Sequence, residues 1–260
     1  MKQIRNRILL FSLIFFSVGC FSNKAANFDG LISQEISSHS LINEVINGIK
    51  SAIDIIVSEE LNRLNTDLNK KNLATKVGMY WKESEIRLTL CYLTAFQKKA
   101  IKETAQTIED IGSTIKPGTT FFSPEVAFFG KNSDNLVIKI DDSNSYLSKL
   151  NQALKETFHQ KHALYQKEQG SDLYSIEKSE QFPYVPHVHI GWLYIRSKAT
   201  PEERKILTPA LQIMFERIKK EIFPIAQKII RSSKNRVINI TFLSYLNLTE
   251  RKLICTKKLQ

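Results

Sequence analysis

The chain has 260 residues, of which 42% are hydrophobic and 24% charged, so it is neither a disordered nor a fibrous polypeptide and has room for one large domain or two small ones. Its formal net charge of +11 favours an anionic partner such as nucleic acid, a nucleotide or an acidic membrane surface. Lys-rich solvated helix faces produce the same charge with no partner at all, and composition alone leaves both readings open.

The N-terminus reads as an export signal. Lys2, Arg5 and Arg7 form a positive region, Ile8 to Val18 a short apolar core, and Ser17-Val18-Gly19-Cys20 a stretch of small residues ahead of a cysteine. This is similar to a bacterial lipoprotein signal, in which the cysteine is lipidated, although Ser17 stands where leucine is usual. An ordinary signal peptide or an uncleaved anchor are the alternatives. The apolar run is short for a membrane span. Residues 1–20 are thus expected to be a signal, 21–30 a tether and 31–260 the domain. The expected location is a bacterial cell envelope, with the body exported and held to a membrane through lipidated Cys20. Cys91 and Cys255 remain, too few for a disulfide framework, and are expected as small apolar side chains.

Leu41, Ile42, Val45, Ile46, Ile49, Ile53, Ile56, Val57, Leu61 and Leu64 recur at helical spacing. Val77 to Trp81 and Ile86 to Leu93 read as strands, and Gln97 to Ile111 as a helix stopped near Gly112 and Pro117. Phe121 to Phe129 and Leu136 to Ile140 form a hairpin. Tyr146, Leu147, Leu150, Leu154 and Phe158 mark a helix that Gly170 ends. Val185 to Ile195 is a strand. Thr200-Pro201-Glu202-Glu203 has the chemistry of a helix N-cap, and that helix is expected to restart at Pro209 and kink near Pro224. Arg236 to Leu246 and Arg251 to Lys257 close the chain as a hairpin.

The order helix, key strand, helix, hairpin therefore occurs twice. It predicts an α+β fold of two similar lobes, each an antiparallel sheet backed by helices, with a cleft between them. The key strands fall near Arg87 and His187.

The second key strand carries Pro186-His187-Val188-His189-Ile190-Gly191. Alternation along a strand puts His187 and His189 on one face, with Cβ atoms about 7 Å apart. Two groups that titrate near neutrality suit acid/base work, metal binding or anion binding. The bland reading is a hydrogen-bonded pair on a sheet.

This arrangement resembles the 2H phosphoesterase superfamily, which includes bacterial 2′-5′ RNA ligase-like proteins and cyclic nucleotide phosphodiesterases. The resemblance covers roughly residues 70 to 260. Family members are two-lobed, with one His-x-Thr/Ser strand motif per lobe. His187 falls on the second motif's histidine and His189 on its hydroxyl residue. The first motif matches Ile86-Arg87-Leu88-Thr89-Leu90-Cys91-Tyr92-Leu93, where Thr89 is the hydroxyl residue and Arg87 stands in place of histidine. The resemblance implies that His187 is catalytic, that Thr89 holds phosphate, and that no cofactor or metal is required; from the residues themselves, His189 could join His187 in the acid/base work while Arg87 and Thr89 hold the anion. It implies as ligand a cyclic nucleotide, a small phosphodiester or an RNA end, and as activity a metal-independent cyclic phosphodiesterase.

Arg87 changes the chemistry. A guanidinium stays protonated at any working pH and cannot shuttle a proton, but it can form a forked contact to phosphate. Turnover is therefore expected to be weakened while ligand binding survives. The alternatives are a noncatalytic exported binding module, and a zinc hydrolase built on His187 and His189, which would need a third ligand. His159 and His162 read as a solvated helix face, and Asp141 and Asp142 as a turn or helix start. Tyr80, Trp81, Tyr92, Tyr184, Trp192 and Tyr194 are expected to form sheet faces, with base stacking as the sharper alternative. No phosphate-cradling Gly-rich loop or serine nucleophile elbow occurs.

Overall fold

The computed structural model describes residues 28–67, 73–82, 84–96, 98–129, 134–175 and 183–260. The expected signal and lipidated Cys20 lie outside the described residues, as does the tether up to residue 27. No described helix is long and apolar enough to cross a membrane.

Ten described strands make one sheet. They are β1 (Phe28–Glu35), β2 (Val77–Trp81), β3 (Arg87–Ala95), β4 (Gly118–Phe129), β5 (Asn135–Asp141), β6 (Tyr174–Ser175), β7 (His187–Ile195), β8 (Val237–Ile240), β9 (Phe242–Asn247) and β10 (Lys252–Lys258). The order is β10-β9-β1-β3-β7-β5-β4-β8, with β2 also on β7 and β6 also on β3. Every described pairing is antiparallel.

β3 and β7 meet through the single pair Leu88–Val188. Five strands lie on each side of that junction. The two halves expected from the repeat are therefore halves of one sheet. Helices α1 (Ser40–Asp67), α4 (Pro201–Arg217) and α5 (Phe223–Ser232) pack together, with α5 on β4 and α4 on β7. Helix α2 (Lys98–Gly112) lies on β9 and β10, and α3 (Tyr146–Gln169) on β3. The α+β class is as expected.

The helices follow their local chemistry. The apolar stripe of α1 from Leu41 to Leu61 is buried in the core, each such side chain contributing about 1.5–3 kcal/mol on burial. Thr200 caps α4 in a reciprocal box: its side chain accepts from the Glu203 N–H, and the Glu203 carboxylate accepts from the Thr200 N–H. At the start of α3, the Asp142 carboxylate accepts from the N–H groups of Leu147 and Ser148, each at 2.8 Å, the helix-start role expected for it. Gly170 ends α3 in the left-handed conformation, φ 64°.

Three local expectations need correction. Helix α4 runs through Pro209 without restarting. The winding changes over Ile218–Ile222, a π-type turn that leads directly into α5 with Pro224 in its first turn, so the expected change near Pro224 is present. The stretch expected as one closing strand from Arg236 to Leu246 splits at Thr241. β8 pairs with β4 in one half, whereas β9 pairs with β1 in the other. The sheet is thus curled until its far strands adjoin in sequence. The Gln34 side chain fastens this join, donating to Asn239 O and accepting from the N–H groups of Thr241 and Phe242. Finally, residues 28–30, taken as the end of the tether, open β1, a strand between β3 and β9. Cys91 and Cys255 are free thiols, the first buried and the second half-buried.

Candidate functional site

The junction of β3 and β7 assembles the four residues that the sequence singled out. With Leu88 opposite Val188, alternation sends both of these to one face, where each is fully buried. Arg87 and Thr89 flank Leu88, and His187 and His189 flank Val188, so all four lie on the other face. Residues from distant parts of the chain thus share one small area.

Arg87 is only 7% exposed. Its Nη2 donates to Glu35 Oε2 at 3.2 Å, across the β1 pairing that sets Arg87 opposite Glu35. Its Nε and Nη1 are buried and have no hydrogen-bond partner among the described residues. Ser33, opposite Thr89 on the same face, also has a buried hydroxyl without a described partner. An unmade hydrogen bond to a buried donor costs about 1–3 kcal/mol, more for a charged group. This cluster of buried donors is chemically suited to an acceptor-rich ligand.

Both imidazoles are fixed by backbone carbonyls of their own segment. His187 Nδ1 donates to Val185 O at 2.7 Å, and His189 Nε2 to Gly191 O at 2.7 Å. A carbonyl can only accept, so these nitrogens carry the hydrogens. In the neutral rings His187 Nε2 and His189 Nδ1 are the acceptors. The Phe129 ring stacks on His187 with centroids 4.8 Å apart, and Trp192 lies 5.3 Å from His189. Burial lowers the pKa of His187, opposed by the Val185 hydrogen bond. Burial likewise lowers that of His189; Gly191 O and Asp134 oppose the shift, and Lys82 and His187 add to it. At neutral pH the site presents two bases.

Tyr184, one of the aromatics named above, donates its hydroxyl to Thr89 O at 3.1 Å and tethers the segment before β7 to β3. Other contributors were not singled out in the sequence. Lys82 follows β2, and its N–H donates to Ile190 O at 2.9 Å. Glu35 and Ser33 come from β1. The run Phe28 to Glu35 shows no clean alternation, which hid that strand; Lys82 was discoverable only by continuing the alternation of Val77–Trp81 by one residue.

The aromatic expectation divides. Trp81 is buried, while Tyr80, at 45% exposure, stacks on Trp192 with centroids 4.1 Å apart. His162 pairs with Asp172 at 3.5 Å on α3, away from the β3–β7 junction. Among the described residues no group of three His, Cys, Asp or Glu side chains is placed to hold a metal ion, so the third ligand that a zinc site needs is not supplied.

No family model matches the chain, and no curated protein matches it either. Among solved structures, Usb1 from Kluyveromyces marxianus is similar at 11% identity and a TM-score of 0.45, covering 91% of this chain and 99% of that one. The same protein with uridine monophosphate is similar at 10% identity and a TM-score of 0.46, with the same coverage. The functional reading rests instead on the residues of the site.

Proposed function

We propose that the β3–β7 junction recognises a phosphate ester, either a cyclic nucleotide or an RNA end, in the manner of a 2H phosphoesterase whose turnover is weakened. The observation that carries this reading is the buried Arg87 guanidinium with two N–H donors unused among the described residues, set beside two imidazoles on one face. Phosphate oxygens are acceptors that match such donors. The ligand would enter between the two halves of the sheet, with Thr89 as a further donor.

The chemistry explains why turnover is weak. Opening a cyclic phosphodiester with water needs a base to take the water's proton as the new P–O bond forms. It also needs an acid to protonate the ribose oxygen as the old P–O bond breaks. His187, through Nε2, suits the first task. Arg87 cannot perform the second, because its guanidinium does not release a proton. Burial lowers the pKa of His189, so at neutral pH little of it carries the proton that this task needs.

Calorimetry with uridine 2′,3′-cyclic phosphate tests the reading. Arg87→Ala should weaken binding by about 1.5–3 kcal/mol, the scale of a hydrogen bond to a charged group. Equal affinity for wild type and variant would remove Arg87 from the site.

The body is further proposed to be exported and anchored through lipidated Cys20, on the strength of the N-terminal pattern alone. Cys20→Ser should abolish acyl labelling in a bacterial host and release the protein from the membrane fraction; unchanged labelling would sink this.

A further inference from the structure

We propose that Lys82 is the second cation of this site and that Lys82 and Arg87 together grip the phosphate group of the ligand. The inference deepens the phosphate reading above and rests on it.

The geometry comes from a break in one edge of the sheet. β2 and β3 both run antiparallel to β7 and lie in succession along the same edge of it: Trp81 pairs with Gly191, and Leu88 with Val188. Between these two pairs the chain leaves the edge. Lys82 follows β2 at this point, and its N–H donates to Ile190 O at 2.9 Å. Arg87 is the first residue of β3 after it. Glu85, at φ 54°, makes the turn within the excursion.

Alternation places the Lys82 side chain. Trp81 is buried on the face of Leu88 and Val188, whereas its neighbour Tyr80 stacks on Trp192 on the other face. Lys82 follows Trp81 and so shares the face of Tyr80, His189 and Arg87. Two cations thus bracket the break, beside His189.

The charges support a shared anion. The lysine's affinity for its proton is lowered by burial first and by Arg87 next, with Glu85 and Glu35 opposing. Like charges brought together and partly desolvated are unfavourable unless an anion lies between them. Glu35 already accepts from one Arg87 nitrogen and is half exposed, so it leaves the buried Nε and Nη1 unserved. A tetrahedral phosphate offers acceptors in several directions at once, which one carboxylate does not. Recognition by a lysine point charge and an arginine fork would pair the two residues' distinct strengths.

The test uses the full chain and two probes, inorganic phosphate and uridine 2′,3′-cyclic phosphate, titrated by calorimetry into wild type, Lys82→Met, Lys82→Arg and Arg87→Ala. Lys82→Met should weaken both probes about tenfold or more, the scale of a charge-assisted hydrogen bond. Lys82→Arg should recover most of that loss. Wild-type affinity should fall at alkaline pH below the ordinary lysine range, and in Lys82→Arg that fall should move to higher pH. Wild-type affinity in Lys82→Met together with weakened binding in Arg87→Ala would overturn the role of Lys82 and leave the phosphate reading standing. Unchanged affinity in both variants, or no binding by wild type, would remove the phosphate reading and this inference with it. Weakened binding in Lys82→Met that comes with a lowered melting temperature and is not recovered in Lys82→Arg would also overturn the inference, because packing alone would then account for the loss.

Discussion

Leu88 faces Val188 across the one described residue pair that joins β3 to β7, and both side chains are fully buried. The whole candidate site hangs on this contact, because the residues on either side of it are Arg87, Thr89, His187 and His189. Leu88→Ala should cost about 2–5 kcal/mol of stability, the range for a buried leucine truncated in a core. Denaturant unfolding would measure it. A cost below about 1 kcal/mol would mean that the junction is not packed as described.

Gly191 on β7 pairs with Trp81 of β2. A Cβ added there would lie 2.6 Å from the backbone oxygen of Tyr80, and backbone cannot swing aside as a side chain can. Gly191→Ala should destabilise the protein by about 1–3 kcal/mol, as overpacking does. It should also weaken phosphate binding, because displacing Tyr80 and Trp81 displaces Lys82. A variant as stable as wild type that binds equally well would contradict the described pairing of β2 with β7.

The two lowered imidazoles make a pH prediction with a definite sign. In the unfolded chain both rings titrate near pH 6.5. In the folded protein burial holds both pKa values lower. As pH falls below about 6.5 the unfolded state takes up protons that the folded state does not, so stability declines, levelling off below the folded values. Phosphate should oppose this by raising both pKa values, and its affinity should increase as pH falls. Histidine ring signals followed by NMR through a pH titration, with and without phosphate, would check both statements. Rings that titrate at or above 6.5 in the free protein would refute them.

Turnover is the sharpest functional question. Wild type should hydrolyse uridine 2′,3′-cyclic phosphate at or near the background rate, for want of an acid. Arg87→His should gain activity with a bell-shaped pH profile near neutrality, because it restores a group able to carry a proton. Robust wild-type hydrolysis that disappears in His187→Ala would overturn the weakened-enzyme reading and show that His187 and His189 suffice.

Features carried by neighbouring residues were legible in the sequence. The stripe of α1, the alternation of β3 and β7, the Thr200 capping box and the Gly170 stop each depend on side chains a few positions apart, and each stands where local chemistry put it. The shared face of His187 and His189 was legible for the same reason, since strand alternation is a local property. Pairing between strands distant in the chain was not, because it depends on which apolar faces can be buried together. Only the tertiary structure set Leu88 on Val188, divided the closing strand at Thr241 between the two halves, and drew Phe28–Glu35 in beside β3. The β1–β3 pairing sets Glu35 opposite Arg87 and Ser33 opposite Thr89, and the β2–β7 pairing brings Lys82 to the face of His189. The sequence by itself determined which groups could do chemistry, whereas burial in the folded sheet decided which of them meet and how their protons are held.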